Sequence, residues 1–213
     1  MKDTTLTDDT VATRPSPPTN KGRRFPITVL SPAEVRALID NTPARSHSGV
    51  RMRALIGVLF GSALRIAEVL ALTPADVQGR EVLVQHGKGD KARTVGLDAT
   101  GRDLLDRWMD RRAQLGLNGR HPIFATYSSH SFGKPLVQRD VRKALVRAAD
   151  RAGITKRVHP HGLRHSLAYD LARTEPMHVV QGQLGHASLA TTGRYLAHLG
   201  ANDLVEAMSR RTW

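Results

Sequence analysis

The chain holds no cysteine among its 213 residues, which excludes disulfides, thiolate metal sites and cysteine nucleophiles and fits a reducing cytoplasm. Aromatic residues make up only 4% of it, too few for the stacked platforms on which single-strand binders lay out bases. No apolar run approaches the ~20 residues needed to cross a bilayer, so no membrane partner is expected. The chain also opens without a charged n-region and an apolar core, so no signal peptide is visible. Acidic charge is the remaining shortage. Against 32 Lys+Arg stand 19 Asp+Glu, a formal charge of +13 and a pI of about 11.1. Such an imbalance implies a polyanionic partner, and with so few aromatics a duplex held through its phosphates fits best.

What is present reads as one domain behind a polar lead. Residues 1–26, with Pro15, Pro17, Pro18 and Pro26 among Thr, Asp and Arg, have no periodicity and are expected to form a flexible tail. Residues 27–213 are expected to form the domain. Ser31-Pro32-Ala33-Glu34 combines an N-cap serine, a first-turn proline and a capping-box glutamate. Residues 47–60 are apolar almost all round, as a helix at the centre of a core would be. A short helix is expected over Arg65–Leu72. Val82 and Val84, then Thr94, Val95 and Leu97, flank Gly87-Lys88-Gly89-Asp90 and predict a β-hairpin, with Pro122–Ala125 as a third short strand. Asp98 is expected to cap a helix carrying Leu104, Leu105 and Trp108. Val137–Ala152 reads as a basic amphipathic helix. Across 137–157 seven basic residues face two acidic ones, which suits either a helix in a DNA groove or a plain solvated face. Further helices are expected at roughly 160–173, 176–184, 188–197 and 201–211. The fold class is therefore mainly α with a small antiparallel β-hairpin or three-stranded sheet.

The candidate chemistry gathers in His159–Leu199. His161 and Arg164 are three apart and on a helix share a face; His165 falls on a different face and reads as structural. Gly185-His186 follows, with Tyr195 nine positions after His186. An arginine fork matches phosphate oxygens, imidazoles move protons near neutral pH, and an activated phenol can be a nucleophile. Upstream, Arg65 sits among apolar neighbours and is either a surface arginine paired to Glu68 or a ligand for an anion. Lys88 lies in GKGDKARTVGL, a strand–turn–strand context without P-loop spacing, and is either a solvated turn lysine or part of the site. Lys91 competes with it. His186 is otherwise a helix cap, and Tyr127 and Tyr169 are the alternative tyrosines.

Together these segments, HGLRHS (161–166) and LGHASLATT (184–192) above all, resemble the tyrosine recombinase family of phage integrases and Xer-type recombinases over about residues 28–200. The resemblance implies that catalytic-domain fold and a metal- and ATP-free transesterification. Tyr195 attacks a DNA phosphodiester, leaving a 3′-phosphotyrosine link. Arg65, Arg164 and His186 bind the phosphate, His161 assists proton removal, Lys88 protonates the leaving 5′-oxygen and Glu68 supports Arg65. No cofactor is implied. The implied partners are double-stranded DNA and a homo-tetramer on two DNA sites, in the cytoplasm at the nucleoid. The 201–211 helix either docks into a neighbouring protomer or folds onto its own core. Two departures stand out. Only a short polar lead precedes Ser31 where the family carries a helical core-binding domain, which leaves room for a host accessory protein. Leu196-Ala197-His198 also replaces the commoner Thr-His. The rival functions are a type IB topoisomerase-like activity and a non-catalytic DNA-binding regulator.

Overall fold

The computed structural model describes residues 28–85 and 92–185. The expected tail, the turn that carries Lys88, and the helices expected at 188–197 and 201–211 lie outside those residues. Seven α-helices and three short strands are formed among the described residues, besides 3₁₀ turns at Pro74–Asp76 and Ser129–Ser131: α1 (Pro32–Asp40), α2 (His47–Gly61), α3 (Ile66–Ala71), β1 (Val77–Gln78), β2 (Glu81–Val84), β3 (Arg93–Gly96), α4 (Ala99–Gln114), α5 (Gln138–Arg151), α6 (Pro160–Thr174) and α7 (Met177–Leu184).

Local signals place most of these elements. The Ser31 hydroxyl accepts from the Glu34 amide at 3.2 Å and Glu34 accepts from the Ser31 amide at 2.7 Å. Four of the first-turn donors of a helix lack intrahelical partners, and this reciprocal box fills part of that need for α1. Asp98 caps α4 by accepting from the Gly101 amide. Helix α2 is the central rod, with Ala54, Leu55, Ile56 and Leu59 all at 0% exposure. An all-round apolar helix must be covered on every side, and α1, α3, α4 and α6 do so. Helices α2 and α4 approach closely at Gly57 and Gly101. A Cβ on Gly57 would lie 2.8 Å from Leu104 Cδ1, and one on Gly101 would lie 3.0 Å from the Gly57 carbonyl.

The sheet is antiparallel in the order β1-β2-β3, with Val82 opposite both Val77 and Val95. Its alternation is strict: Val82 and Val84 are buried while Glu81 and Leu83 are not. The third strand is therefore Val77–Gln78, not the expected Pro122–Ala125. That segment fails as a strand for two reasons. Pro122 has no amide to give, and Ile123, Phe124 and Ala125 are all buried in succession instead of alternating. It runs through the core as a connection, the Ile123 amide bonding the Leu72 carbonyl at 2.6 Å and Ala125 making one isolated bridge to Pro135. Trp108, fully buried on α4, donates its indole N–H to the Ile123 carbonyl at 2.8 Å and fastens the segment there. No helix among the described residues is long and apolar enough to cross a membrane.

Candidate active site

Arg65 is the N-cap residue of α3, and Glu68 at the third helical position turns back to it. One Glu68 oxygen accepts from the Arg65 amide at 2.8 Å and the other from Arg65 Nη1 at 2.8 Å. The i,i+3 pair considered from the sequence is thus formed, but Glu68 is shared. Arg93, entering β3, donates Nη1 and Nη2 to the same two oxygens at 3.1 and 2.9 Å. Each oxygen takes one bond from each arginine. Burial of Glu68 alone would raise its pKa. The Arg93 fork, the Arg65 amide and the Arg65 guanidinium outweigh burial and hold the carboxyl below the usual carboxylate range. The ionised carboxylate neutralises one of two guanidiniums, so the cluster keeps a net positive charge. Arg65 is 36% exposed, and beyond Glu68 its guanidinium has no partner among the described residues.

Arg164 lies on α6 at 2% exposure. It donates Nη1 to the Ala63 carbonyl at 2.5 Å and Nη2 to the Leu184 carbonyl at 2.7 Å. It thereby ties the turn two residues ahead of Arg65 to the end of α7, two residues ahead of His186. Ala63 has φ +52°, the one non-glycine residue in the left-handed region among those described. That conformation costs an L-residue roughly 1–2 kcal/mol, and the bond from Arg164 helps hold it. Gln183 adds a second tie, donating to the Ser62 and Gly96 carbonyls at 2.9 and 2.7 Å and accepting from the Gly96 amide at 3.0 Å. Gly185 then ends α7 at φ +62°, and a Cβ there would sit 2.4 Å from Arg93 Nε. The α2–α3 turn, β3, α6 and the end of α7 are knotted at one place.

His161 and Arg164 are three apart on α6; the first is the more exposed and the second is buried, and the Arg164 charge acts on His161. The placing of His165 on another face is corrected, because its ring stands edge-on to His161 with centroids 4.0 Å apart. Helix geometry explains that contact, since a residue at i+4 is offset by only about 40°. His161 feels both arginines. Its pKa is lowered from the ordinary histidine value, first by loss of water and then by the charges of Arg164 and Arg65. A neutral imidazole at neutral pH can accept a proton.

The same helix begins with an acid-sensitive cap. His159 Nδ1 accepts from the Gly162 amide at 3.0 Å, which only an unprotonated nitrogen can do. Burial, then Arg157, His161 and Arg142, lower its pKa. Both histidines thus bind a proton less readily folded than unfolded. Their stabilising contribution is present above the unfolded value of ~6.5 and is lost as pH falls through the lowered folded values. The thermal midpoint is expected to fall between pH 7.5 and 5. His159→Asn, which caps without titrating there, should flatten that profile; an unchanged slope in the variant would contradict the assignment.

Of the sequence-predicted residues, Arg65, Glu68, His161 and Arg164 are described and gathered; Lys88, His186 and Tyr195 lie outside the described residues, as does Lys91. The alternative tyrosines have other surroundings. Tyr127 stands edge-on to His47 and lies under the Arg51 guanidinium, whose carbon is 4.9 Å from the tyrosine ring centroid, and Tyr169 neighbours Arg173. Sequence reasoning missed Arg93 and Gln183. Arg93 carried a signal: it is two residues before the buried Val95, hence on the inward face of β3, where a guanidinium requires a carboxylate.

Residues 28–201 match the Phage integrase family. The chain belongs to that family. It is 37% identical over 205 residues to tyrosine recombinase XerD of Corynebacterium glutamicum, covering 92% of this chain and 64% of that one. It is 34% identical over 148 residues to tyrosine recombinase XerC of Listeria welshimeri, covering 68% and 49%. The chain therefore spans about half the length of the first curated relatives it matches. Among solved structures, XerH site-specific recombinase bound to its palindromic difH substrate in a post-cleavage complex superposes with a TM-score of 0.70 at 29% identity, covering 86% of this chain and 53% of that one. These similarities are to recombinases and do not favour the topoisomerase or the non-catalytic regulator.

Proposed function

We propose that this integrase-family protein cuts and rejoins double-stranded DNA at specific sites through a 3′-phosphotyrosine intermediate. The observation that carries the reading is the convergence on one spot of Arg65, held by Glu68, buried Arg164, and a His161 whose pKa both arginines depress. Two fixed positive charges beside a proton-accepting imidazole suit a phosphodiester on which negative charge builds during displacement. Tyr195 Oη forms a bond to phosphorus as the bond to the 5′-oxygen breaks. Its proton passes towards His161, and Lys88 protonates the leaving oxygen. Arg65, Arg164 and His186 bind the non-bridging oxygens. A second 5′-hydroxyl reverses the step, so the phosphodiester energy is kept and neither ATP nor a cofactor is consumed.

DNA is the partner that the charge supports. Helix α5 exposes Arg139, Arg142, Lys143 and Arg147 on its outer side, and a 620 Å³ cleft beside it is lined by Arg142, Lys156, Arg157 and His159 at the start of α6. A duplex laid along this face would bring phosphates to the amino end of α6. The working unit that the family resemblance implies is a homo-tetramer on two DNA sites in the cytoplasm at the nucleoid, together with a host accessory protein. The test is detergent trapping of the protein on a pool of nicked random-sequence duplexes. A covalent adduct that Tyr195→Phe eliminates supports the reading. Relaxation of supercoils by isolated monomers without sequence preference would favour a topoisomerase, and binding with no adduct a regulator.

A further inference from the structure

We infer that Arg93 is a positioning residue for Arg65, an inference that rests on the phosphodiester reading of this site. Glu68 has four acceptor positions to fill, and its two oxygens take four bonds: two from the Arg93 fork, one from the Arg65 amide and one from Arg65 Nη1. Because Arg93 occupies the bidentate edge of the carboxylate, Arg65 is held by a single side-chain bond. Its guanidinium is oriented yet not closed onto the carboxylate. With Arg93 the three groups carry a net positive charge; without it a single guanidinium faces a single carboxylate and the charge cancels. A free Glu68 fork would then be the strongest anion available to Arg65, matching it bidentately and competing with a phosphate for the same N–H groups.

The placement of Arg93 ties this arrangement to the rest of the site. Its side chain is 17% exposed, and its Nε is buried without an acceptor among the described residues. That Nε lies where a Cβ on Gly185 would come within 2.4 Å, so the carboxyl end of α7 is seated directly on the Arg93 stem. Gln183 fixes the same end of α7 to Gly96, three residues along β3 from Arg93. One side chain thus spans β3, the start of α3 and the residue that precedes His186 in sequence. Arg93 itself is not asked to touch the substrate.

The experiment compares wild-type protein with Arg93→Gln and Arg93→Lys in two measurements. The first titrates inorganic phosphate and follows the Arg65 Nε–H signal by NMR. Arg93→Gln should bind phosphate at Arg65 about tenfold more weakly, with Arg93→Lys intermediate because it keeps the charge and loses the fork. The second measures single-turnover cleavage of a duplex recovered from the random pool, made with either the natural phosphodiester or a neutral methylphosphonate at the cut position. The natural linkage should be cut roughly 10- to 100-fold more slowly by Arg93→Gln, the usual cost of losing a group that orients a ligand residue. The penalty should shrink on the methylphosphonate, which needs less charge neutralised. Equal penalties on both linkages, or unchanged phosphate binding at Arg65, would overturn the inference. A wild-type protein that cuts no DNA would instead overturn the recombinase reading, and the phosphate titration still decides the role of Arg93. If Arg93→Gln does not fold, the same comparisons are read from Arg93→Lys.

Discussion

Replacing Arg164 with alanine is expected to cost this protein both its chemistry and a substantial part of its stability. The guanidinium is 2% exposed and bonds the carbonyls of Ala63 and Leu184. Two buried acceptors left without donors cost roughly 1–3 kcal/mol each, less whatever water entering the vacated space restores. A loss of about 3 kcal/mol in urea unfolding is the expected result, with the denaturant slope unchanged. Marginal stabilities of 5–15 kcal/mol make that a large share. Strand cleavage should fall by at least ~10²-fold, the usual cost of removing one preorganised donor from a developing anion. The Ala63 turn, the end of α7 and the phosphate charge all depend on the one side chain. Arg164→Lys should recover some stability and little activity, because an ammonium is a point charge and cannot span two carbonyls as a fork does.

Arg65→Ala is expected to separate the two effects. Arg65 is partly exposed, and its side chain contributes only one of the four bonds to Glu68. The backbone amide of residue 65 remains in the variant, and so does the Arg93 fork. Stability should therefore change by only about 1 kcal/mol, because Glu68 keeps three of its four bonds. Cleavage should fall by about 10²- to 10³-fold if, as proposed, Arg65 binds a non-bridging oxygen that becomes more negative in the transition state. Thermal melts and single-turnover rates of the two variants form the comparison. An Arg65→Ala protein as unstable as Arg164→Ala would place Arg65 in the scaffold, not in the chemistry.

Much of this arrangement can be read in the sequence because its causes are local. The α1 capping box, the Asp98 cap, the all-round apolar α2 and the hairpin strands follow from periodicity and capping alone. The family is legible for another reason: a fixed order of arginines, histidines and a tyrosine is unlike a basic surface, and residues 28–201 match the Phage integrase family. What is not legible depends on long-range contacts. Pro122–Ala125 has a strand-like composition, yet its Ile123 amide donates to the Leu72 carbonyl and its Phe124 carbonyl accepts from the Leu136 amide, a pairing that no short window contains. Arg164 looks like a surface HxxR arginine until α7 and the Ala63 turn are laid over it. Arg93 reads as one more basic residue after a glycine-rich turn, although its phase in β3 points it inward to Glu68, 25 residues earlier. His165 meets His161 because the two are four apart on one helix.

In the proposed reaction Tyr195 carries the DNA covalently. The most direct measurement is mass spectrometry of the peptide left on the DNA after detergent trapping and protease digestion, with the labelled strand end identified. The expected result is a phosphotyrosine at Tyr195 joined to a 3′ phosphate, and no adduct from Tyr195→Phe. Attachment at Tyr127 or Tyr169, or linkage to a 5′ phosphate, would contradict it.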